Sequence, residues 1–118
     1  MHELAVCQGL MSQVEQIAQR EDAESVTRIL LSVGPLSGVE PQLLADAFPI
    51  AAAGTVAENA RLDIDTQPIR VKCDTCGAET DASANRLLCG SCGDFRTRLV
   101  SGDEMLLMSL ELERRERA

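Results

Sequence analysis

The amino-acid sequence predicts an α+β fold, a three-stranded sheet packed by two helices, with a cysteine-bearing ribbon inserted before the last strand. Apolar residues recur at helical spacing in some stretches and alternate in others. Gly-Pro and Ser-Gly pairs separate these stretches, and two Cys-X-X-Cys pairs precede a final alternating run. We therefore expect an α+β domain formed by 1–69 plus 97–118 and a ribbon domain formed by 70–96.

The first two elements are a helix and a strand. Apolar residues at helical spacing predict an amphipathic helix from Leu4 to Arg20 or the next residue. Cys7 lies on the apolar stripe of this helix, so we expect a buried packing thiol. Alternation of apolar residues then predicts a strand from about Ser25 to Val33, which Gly34-Pro35 ends.

A second helix is predicted to begin between Ser37 and Glu40. These two residues have the spacing of a capping box, and Pro41 is tolerated in a first helical turn because its missing N–H would be unpaired there. Pro49 is expected to kink or end the helix, although the alanine-rich stretch behind it could continue the helix to Gly54.

Two further strands complete the predicted sheet. Residues 55–60 form a connection or a further helical turn, and alternation from Leu62 to Pro68 predicts the second strand. After the cysteine segment, Leu106–Leu112 alternates over a longer run and predicts the third strand. The charged stretch Glu113–Arg117 is expected to be a solvated tail.

The four cysteines of the ribbon have the spacing of a metal site. Each pair leaves a gap of two residues, and the residues 77–88 separate the pairs Cys73/Cys76 and Cys89/Cys92. Four thiolates favour Zn(II) in a closed tetrahedral site with a structural role. A dithiol redox role is the alternative, but neither pair opens a helix after a βαβ unit. Hydrolytic zinc chemistry would require an open coordination position and a base, and no HExxH motif is present.

The composition limits the other classes of function. The net charge is −8, which argues against a general nucleic-acid or anionic-membrane surface. The segment 70–98 carries five basic and four acidic side chains, so the ribbon has no basic stripe. His2 is the only histidine, and most acid–base catalysis is hard to assemble, so we predict no enzyme activity. An odd number of cysteines and the lack of a signal peptide predict a cytoplasmic protein.

The N-terminus offers a second set of metal ligands. The α-amine of Met1, with an unperturbed pKa of about 7.7–8.0, can combine with the backbone nitrogen and imidazole of His2 in fused chelate rings. The backbone nitrogen of Glu3 or a carboxylate could be the fourth donor, and such planar nitrogen and oxygen sets suit Ni(II) or Cu(II). From spacing alone, a solvated terminal histidine is the alternative. Glu40 could supply a carboxylate, or could simply favour the start of the helix.

Taken together, these motifs resemble the HypA/HybF family of hydrogenase nickel-incorporation proteins over essentially the whole chain. The resemblance rests on the N-terminal triplet, several short motifs in the middle of the chain, both cysteine pairs and the last strand. The matching residues are Met1-His2-Glu3, Val33-Gly34, Leu36-Ser37, Val39-Glu40-Pro41, Phe48, Glu58, Ala60, Leu62, Cys73, Cys76, Cys89, Cys92 and Met105–Glu113.

The resemblance implies a nickel metallochaperone that delivers Ni(II) to the hydrogenase large subunit during maturation of the [NiFe] centre. It places transferable nickel on Met1, His2 and Glu3, with Glu40 as a weaker candidate, and structural Zn(II) on the four cysteines. The implied partners are a nickel-linked GTPase, HypB, the hydrogenase large-subunit precursor and urease maturation factors. The alternative is a zinc-ribbon module that binds proteins or nucleic acid and carries no nickel.

Overall fold

The computed structural model describes residues 2–115, which form two helices and six strands. The strands build two three-stranded sheets, with the orders β2-β1-β6 and β4-β3-β5. In chain order the elements are α1 (His2–Arg20), β1 (Ala23–Val33), α2 (Pro41–Ala52), β2 (Arg61–Thr66), β3 (Ile69–Cys73), β4 (Glu79–Ala82), β5 (Thr97–Ser101) and β6 (Met105–Arg114). The predicted α+β class and the ribbon inserted before the last strand are both confirmed.

The start of α2 differs from the predicted capping box. Glu40 is the N-cap, and its side chain accepts a hydrogen bond from the Gln42 backbone N–H at 3.3 Å. The Ser37 hydroxyl instead accepts the Val39 N–H at 3.2 Å and closes a turn before the helix. The predicted capping box was therefore wrong, because the Ser37 hydroxyl accepts a backbone N–H of the loop before the helix rather than one of the helix itself.

Pro49 lies inside α2, which continues to Ala52. Proline removes its own N–H from the helical ladder and its ring crowds the carbonyl four residues earlier, and here the helix ends within one turn of it. The helix does not end at Pro49, so the predicted continuation through the alanine-rich stretch is confirmed, although it reaches Ala52 rather than Gly54. At the other end of the chain β6 runs to Arg114, so the predicted tail begins as strand. The last part of that tail, 116–117, lies outside the described residues.

The chain divides into two compact units. The first contains 2–31, 40–64 and 107–115, and the second contains 32–39 and 65–106. The second unit contains the predicted ribbon of 70–96 together with 32–39, 65–69 and 97–106, and within it β3 pairs with β5.

Cys7 is part of the core of the first unit. It is fully buried on α1, and its Sγ donates a hydrogen bond to the Leu44 carbonyl of α2 at 3.5 Å. Burial, with a smaller contribution from the charge of Glu3, raises the pKa of the Cys7 thiol. The predicted packing thiol is confirmed, because a buried neutral thiol is neither a nucleophile nor a good metal ligand.

In the second unit, Gly34 lies against the turn that carries Gly102. The Leu36 N–H donates to the Gly102 carbonyl at 2.7 Å, and the Gly34 N–H donates to the Glu104 carbonyl at 2.8 Å. A Cβ added at Gly34 would lie 2.2 Å from the Gly102 carbonyl oxygen. The neighbour is backbone, so it cannot move aside by rotating a side chain.

We expect Gly34→Ala to lower the free energy of unfolding by about 1–3 kcal/mol, since an extra carbon in a filled space forces a backbone shift. Urea unfolding followed by circular dichroism measures the change. Gly9→Ala is the matched control, because Gly9 lies in α1 and a Cβ added there would enter open space. Alanine there should stabilise the helix by roughly 0.5–1 kcal/mol. Equal stability of the two variants would contradict the close approach at Gly34.

Candidate metal centres

The structure brings all four ribbon cysteines together. Cys73 ends β3, and the other three lie in the turns on either side of β4 and before β5. Their Sγ atoms lie within 4.8 Å of one another. The Cys73 and Cys92 sulfurs are 3.6 Å apart, and the Cys76 and Cys89 sulfurs are 3.5 Å apart. Cysteines that are 13 and 19 residues apart in sequence are thus brought together around one point in space.

The first cysteine pair is held by a tight turn of the backbone. The N–H groups of Thr75 and Cys76 donate to the Cys73 sulfur at 3.3 and 3.4 Å. The Gly77 N–H closes the turn on the Cys73 carbonyl at 3.0 Å. Gly77 has φ +77°, a conformation that glycine adopts without steric cost.

The second pair repeats the same geometry. The N–H groups of Ser91 and Cys92 donate to the Cys89 sulfur at 3.3 and 3.4 Å. The Gly93 N–H donates to the Cys89 carbonyl at 2.9 Å, and Gly93 has φ +78°. The two turns therefore have the same structure, and in both of them a glycine directly follows the cysteine pair and closes the turn.

These backbone hydrogen bonds favour thiolate at the first cysteine of each pair. The Cys92 and Ser91 N–H groups lower the pKa of Cys89 to about 6. The Cys76 and Thr75 N–H groups likewise lower the pKa of Cys73. Since thiolate is the form that binds metal, both sulfurs are prepared as ligands by the fold itself.

The donor set fits zinc. Four sulfurs at the usual zinc–sulfur distance of about 2.3 Å would be roughly 3.8 Å apart in a tetrahedron, close to the two short contacts found between the pairs. Cys73 and Cys89 are buried, and Cys76 and Cys92 are exposed. Zinc held by these four residues would have no open position, so it would serve to cross-link the two turns.

Three polar residues that the sequence reasoning did not single out support the two turns. The Thr75 hydroxyl donates to the Asp94 carboxylate at 2.5 Å, which joins the first turn to the second. The Thr80 hydroxyl accepts the Gly90 N–H at 2.8 Å. The position of Asp94 two residues after the second pair was visible in the sequence, but its partner 19 residues away was not.

Of the four candidates at and near the N-terminus, the structure describes His2, Glu3 and Glu40. His2 is exposed at the start of the helix, and Met1 lies outside the described residues. A Glu3 carboxylate oxygen accepts the Glu40 backbone N–H at 3.3 Å, so the structure brings Glu3 and Glu40 together. The Glu40 side chain itself caps α2. It therefore performs the structural role that was the alternative to metal binding.

Comparison with known proteins agrees with this arrangement of residues. The sequence model of a family described as "Hydrogenase/urease nickel incorporation, metallochaperone, hypA" matches residues 1–112. The chain belongs to the HypA family. The resemblance found in the sequence is thereby confirmed. A metallochaperone carries a metal to a recipient and is not an enzyme, and membership of the HypA family links this chain to the hydrogenase maturation machinery.

Several HypA proteins are similar over nearly the full chain. The hydrogenase maturation factor HypA of Nitrosospira multiformis is 48% identical over 112 residues, which cover 95% of this chain and 97% of that protein. The HypA of Aquifex aeolicus is 43% identical over 113 residues, which cover 96% and 98%. The family assignment therefore applies to both compact units.

Two solved HypA structures share the fold. A solution structure of HypA protein has a TM-score of 0.72 at 26% identity and covers 95% of this chain and 96% of that one. The solution structure of the Ni metallochaperone HypA from Helicobacter pylori has a TM-score of 0.69 at 24% identity, with coverage of 96% and 98%. Among residues 2–115, no helix is long and apolar enough to cross a membrane.

Proposed function

We propose that this chain binds Ni(II) at its N-terminus and delivers it to the hydrogenase large subunit during maturation of the [NiFe] centre. The donors would be the Met1 α-amine, the backbone nitrogen and imidazole of His2, and the backbone nitrogen of Glu3. The ribbon would hold structural Zn(II) on Cys73, Cys76, Cys89 and Cys92. The observation that carries the proposal is the match of residues 1–112 to a nickel-incorporation family.

The start of α1 supports nickel binding by backbone nitrogen. The first four N–H groups of a helix have no partner within it, so those of His2 and Glu3 are free of the helical ladder. The exposed His2 imidazole can approach the metal without displacing core residues. Glu3 contacts the N-cap of α2, which keeps a second carboxylate, that of Glu40, beside the site as a weaker candidate ligand.

The chemistry at this end is ligand exchange. The amine, amide and imidazole nitrogens must all be deprotonated to hold nickel, so acid competes with the metal and releases it. A terminal site open to solvent also lets an acceptor replace one donor at a time. Such a site can bind nickel and then release it to an acceptor whose ligands bind the metal more tightly.

The proposed recipients follow from the family. We expect the chain to work in the cytoplasm with HypB, a nickel-linked GTPase, and with the precursor of the hydrogenase large subunit. Urease maturation factors are further candidate partners, because the family description includes urease.

Delivery can be tested by incubating the nickel-loaded protein with the purified large-subunit precursor. After separation by ion exchange, we expect most of the nickel on the precursor, and much less when chelated nickel is mixed with the precursor in the absence of this chain. The control is nickel bound to a small peptide with the same first three residues. Nickel that stays on this chain, or that the control delivers equally well, would contradict delivery by a folded chaperone.

A further inference from the structure

An apolar groove lies between the first turn of α1 and the outer side of α2. Its cavity has a volume of about 220 Å³. Leu43 and Ile50 are 51% and 66% exposed, although both are large aliphatic side chains. Exposed apolar side chains around a concave surface are typical of an interaction site. The residues that line the groove are Glu3, Leu4, Leu43, Asp46, Ala47 and Ile50.

The wall that α2 contributes is a second apolar stripe of that helix. Leu44 and Phe48 are buried in the core of the first unit. Leu43, Ala47 and Ile50 lie four and three residues apart, so they follow one another along one side of the helix. Ala47 is buried, and its small side chain leaves a depression between the two larger ones. Since Leu43 and Ile50 remain more than half exposed, packing within the described part of the chain does not cover them.

The two polar residues of the groove are both acidic. A Glu3 carboxylate oxygen accepts the Glu40 backbone N–H at 3.3 Å, and the Asp46 carboxylate accepts the Gln42 side-chain amide at 3.0 Å. Among residues 2–115, no Lys or Arg forms an ion pair with either carboxylate. The stretches 2–19 and 41–52 contain no Lys or Arg at all. The groove therefore carries negative charge that no neighbouring Lys or Arg balances.

This charge selects the kind of molecule that can occupy the groove. Carboxylates repel nucleic acid and anionic membrane surfaces, and they disfavour a second copy of this chain, whose net charge is −8. Both walls are helices, so the groove offers no sheet edge to which an extended segment could add. A helix satisfies its own backbone and can present an apolar side to such a groove. The features together favour a basic, amphipathic helix.

We infer that the groove binds a basic amphipathic helix of a partner protein. The apolar side of that helix would place a large side chain between Leu43 and Ile50, and its Lys or Arg residues would pair with Glu3 and Asp46. All of the lining residues belong to the first unit. Docking uses none of the nitrogen atoms proposed to bind nickel. The inference can therefore fail while the nickel site is correct, and the reverse.

The test titrates a short synthetic helix of leucine and lysine, with its leucines on one side and its ends blocked, into the full-length zinc-loaded protein labelled with ¹⁵N. We expect saturable amide shifts confined to the first turn of α1 and to 41–52. A peptide with alanine in place of leucine keeps the charge and should bind at least about tenfold more weakly, because it buries less apolar surface. A peptide with glutamate in place of lysine should bind more weakly still.

Variants of the groove separate its apolar and charged contributions. Leu43→Ala should weaken binding of the leucine and lysine peptide by about tenfold. Met108→Ala is the matched control and should bind normally, because Met108 is 54% exposed on β6 and does not line the groove. Asp46→Lys should weaken binding of the lysine peptide and strengthen binding of the glutamate peptide. Glu15→Lys, on the exposed side of α1 outside the groove, should change neither affinity by more than about twofold.

His2→Ala should bind the peptide normally, which separates docking from the nickel site. Equal affinity for the leucine and alanine peptides, or unchanged affinity in Leu43→Ala, would overturn the inference, because binding would then rest on charge alone. No saturable binding would overturn it as well. So would the same amide shifts caused by free leucine amide, which indicate a small-molecule pocket, or by dilution of the free protein, which indicate self-association.

Discussion

The double substitution Cys89→Ser with Cys92→Ser will abolish stoichiometric zinc binding and unfold the ribbon. Two thiolates that face the other pair are removed, and serine hydroxyls do not replace them as ligands at neutral pH. Within 65–106 the buried apolar side chains are few: Ile69, Val71 and the ligands Cys73 and Cys89. Structural zinc contributes about 10–16 kcal/mol in small zinc-finger peptides, far more than such a core can supply.

Elemental analysis and amide hydrogen exchange measure this effect together. We expect zinc to fall from about one per chain to none and the amides of β3, β4 and β5 to lose protection. The amides of α1 should stay protected, because the core of the first unit contains no ribbon residue. Cys7→Ala is the control, since Cys7 is buried away from the cluster, and it should keep its zinc. Retention of a full zinc equivalent by the double variant would contradict the proposed site.

The second large effect is expected for His2→Ala, which should weaken nickel binding by at least about 100-fold. Loss of an outer-shell partner alone costs roughly 10–100-fold in metal affinity, and the imidazole would be a direct ligand. His2 is exposed at the start of α1, so the variant should keep its fold and its zinc. Nickel titration by isothermal calorimetry, with zinc content checked in the same sample, measures both properties.

One chemical modification and one variant test the remaining candidate donors, and a second variant is the control. Acetylation of the α-amine should reduce nickel affinity as strongly as His2→Ala, because it removes a ligand without touching a side chain. Glu40→Gln should have a smaller effect, since its carboxylate caps α2. Gln8→Ala, on the exposed face of α1, should bind nickel normally. Unchanged nickel affinity in His2→Ala would refute the terminal site.

The order of α1, β1, α2, β2 and β6 was predictable from the sequence because each of these elements carries its own local signal. Helical spacing identified α1, alternation identified β1 and β6, and the spacing of Cys73, Cys76, Cys89 and Cys92 predicted their convergence, which the structure confirms. The short strands β4 and β5 carry no such signal. They are defined by pairing with β3, and a four- or five-residue strand in a cysteine turn region has no periodicity of its own.

The errors concern contacts between residues far apart in sequence. Ser37 has the right spacing for a capping box, yet Glu40 caps α2 while its backbone N–H is bound by Glu3, 37 residues away. The tight approach of Gly34 to Gly102 is likewise invisible to local patterns. The sequence offered Met1, His2, Glu3 and Glu40 as ligands from chemistry and family resemblance. Their metal binding remains a prediction that solution measurements must decide.

We propose that one chain holds two different metals at separate sites, structural zinc on the four ribbon cysteines and transferable nickel at the N-terminus. Equilibrium dialysis against excess Ni(II), followed by elemental analysis, tests it most directly. We expect about one zinc and one nickel per chain, with only the nickel removed by mild acid or by a weak chelator. Zinc alone, or nickel that displaces zinc from the four cysteines, would contradict it.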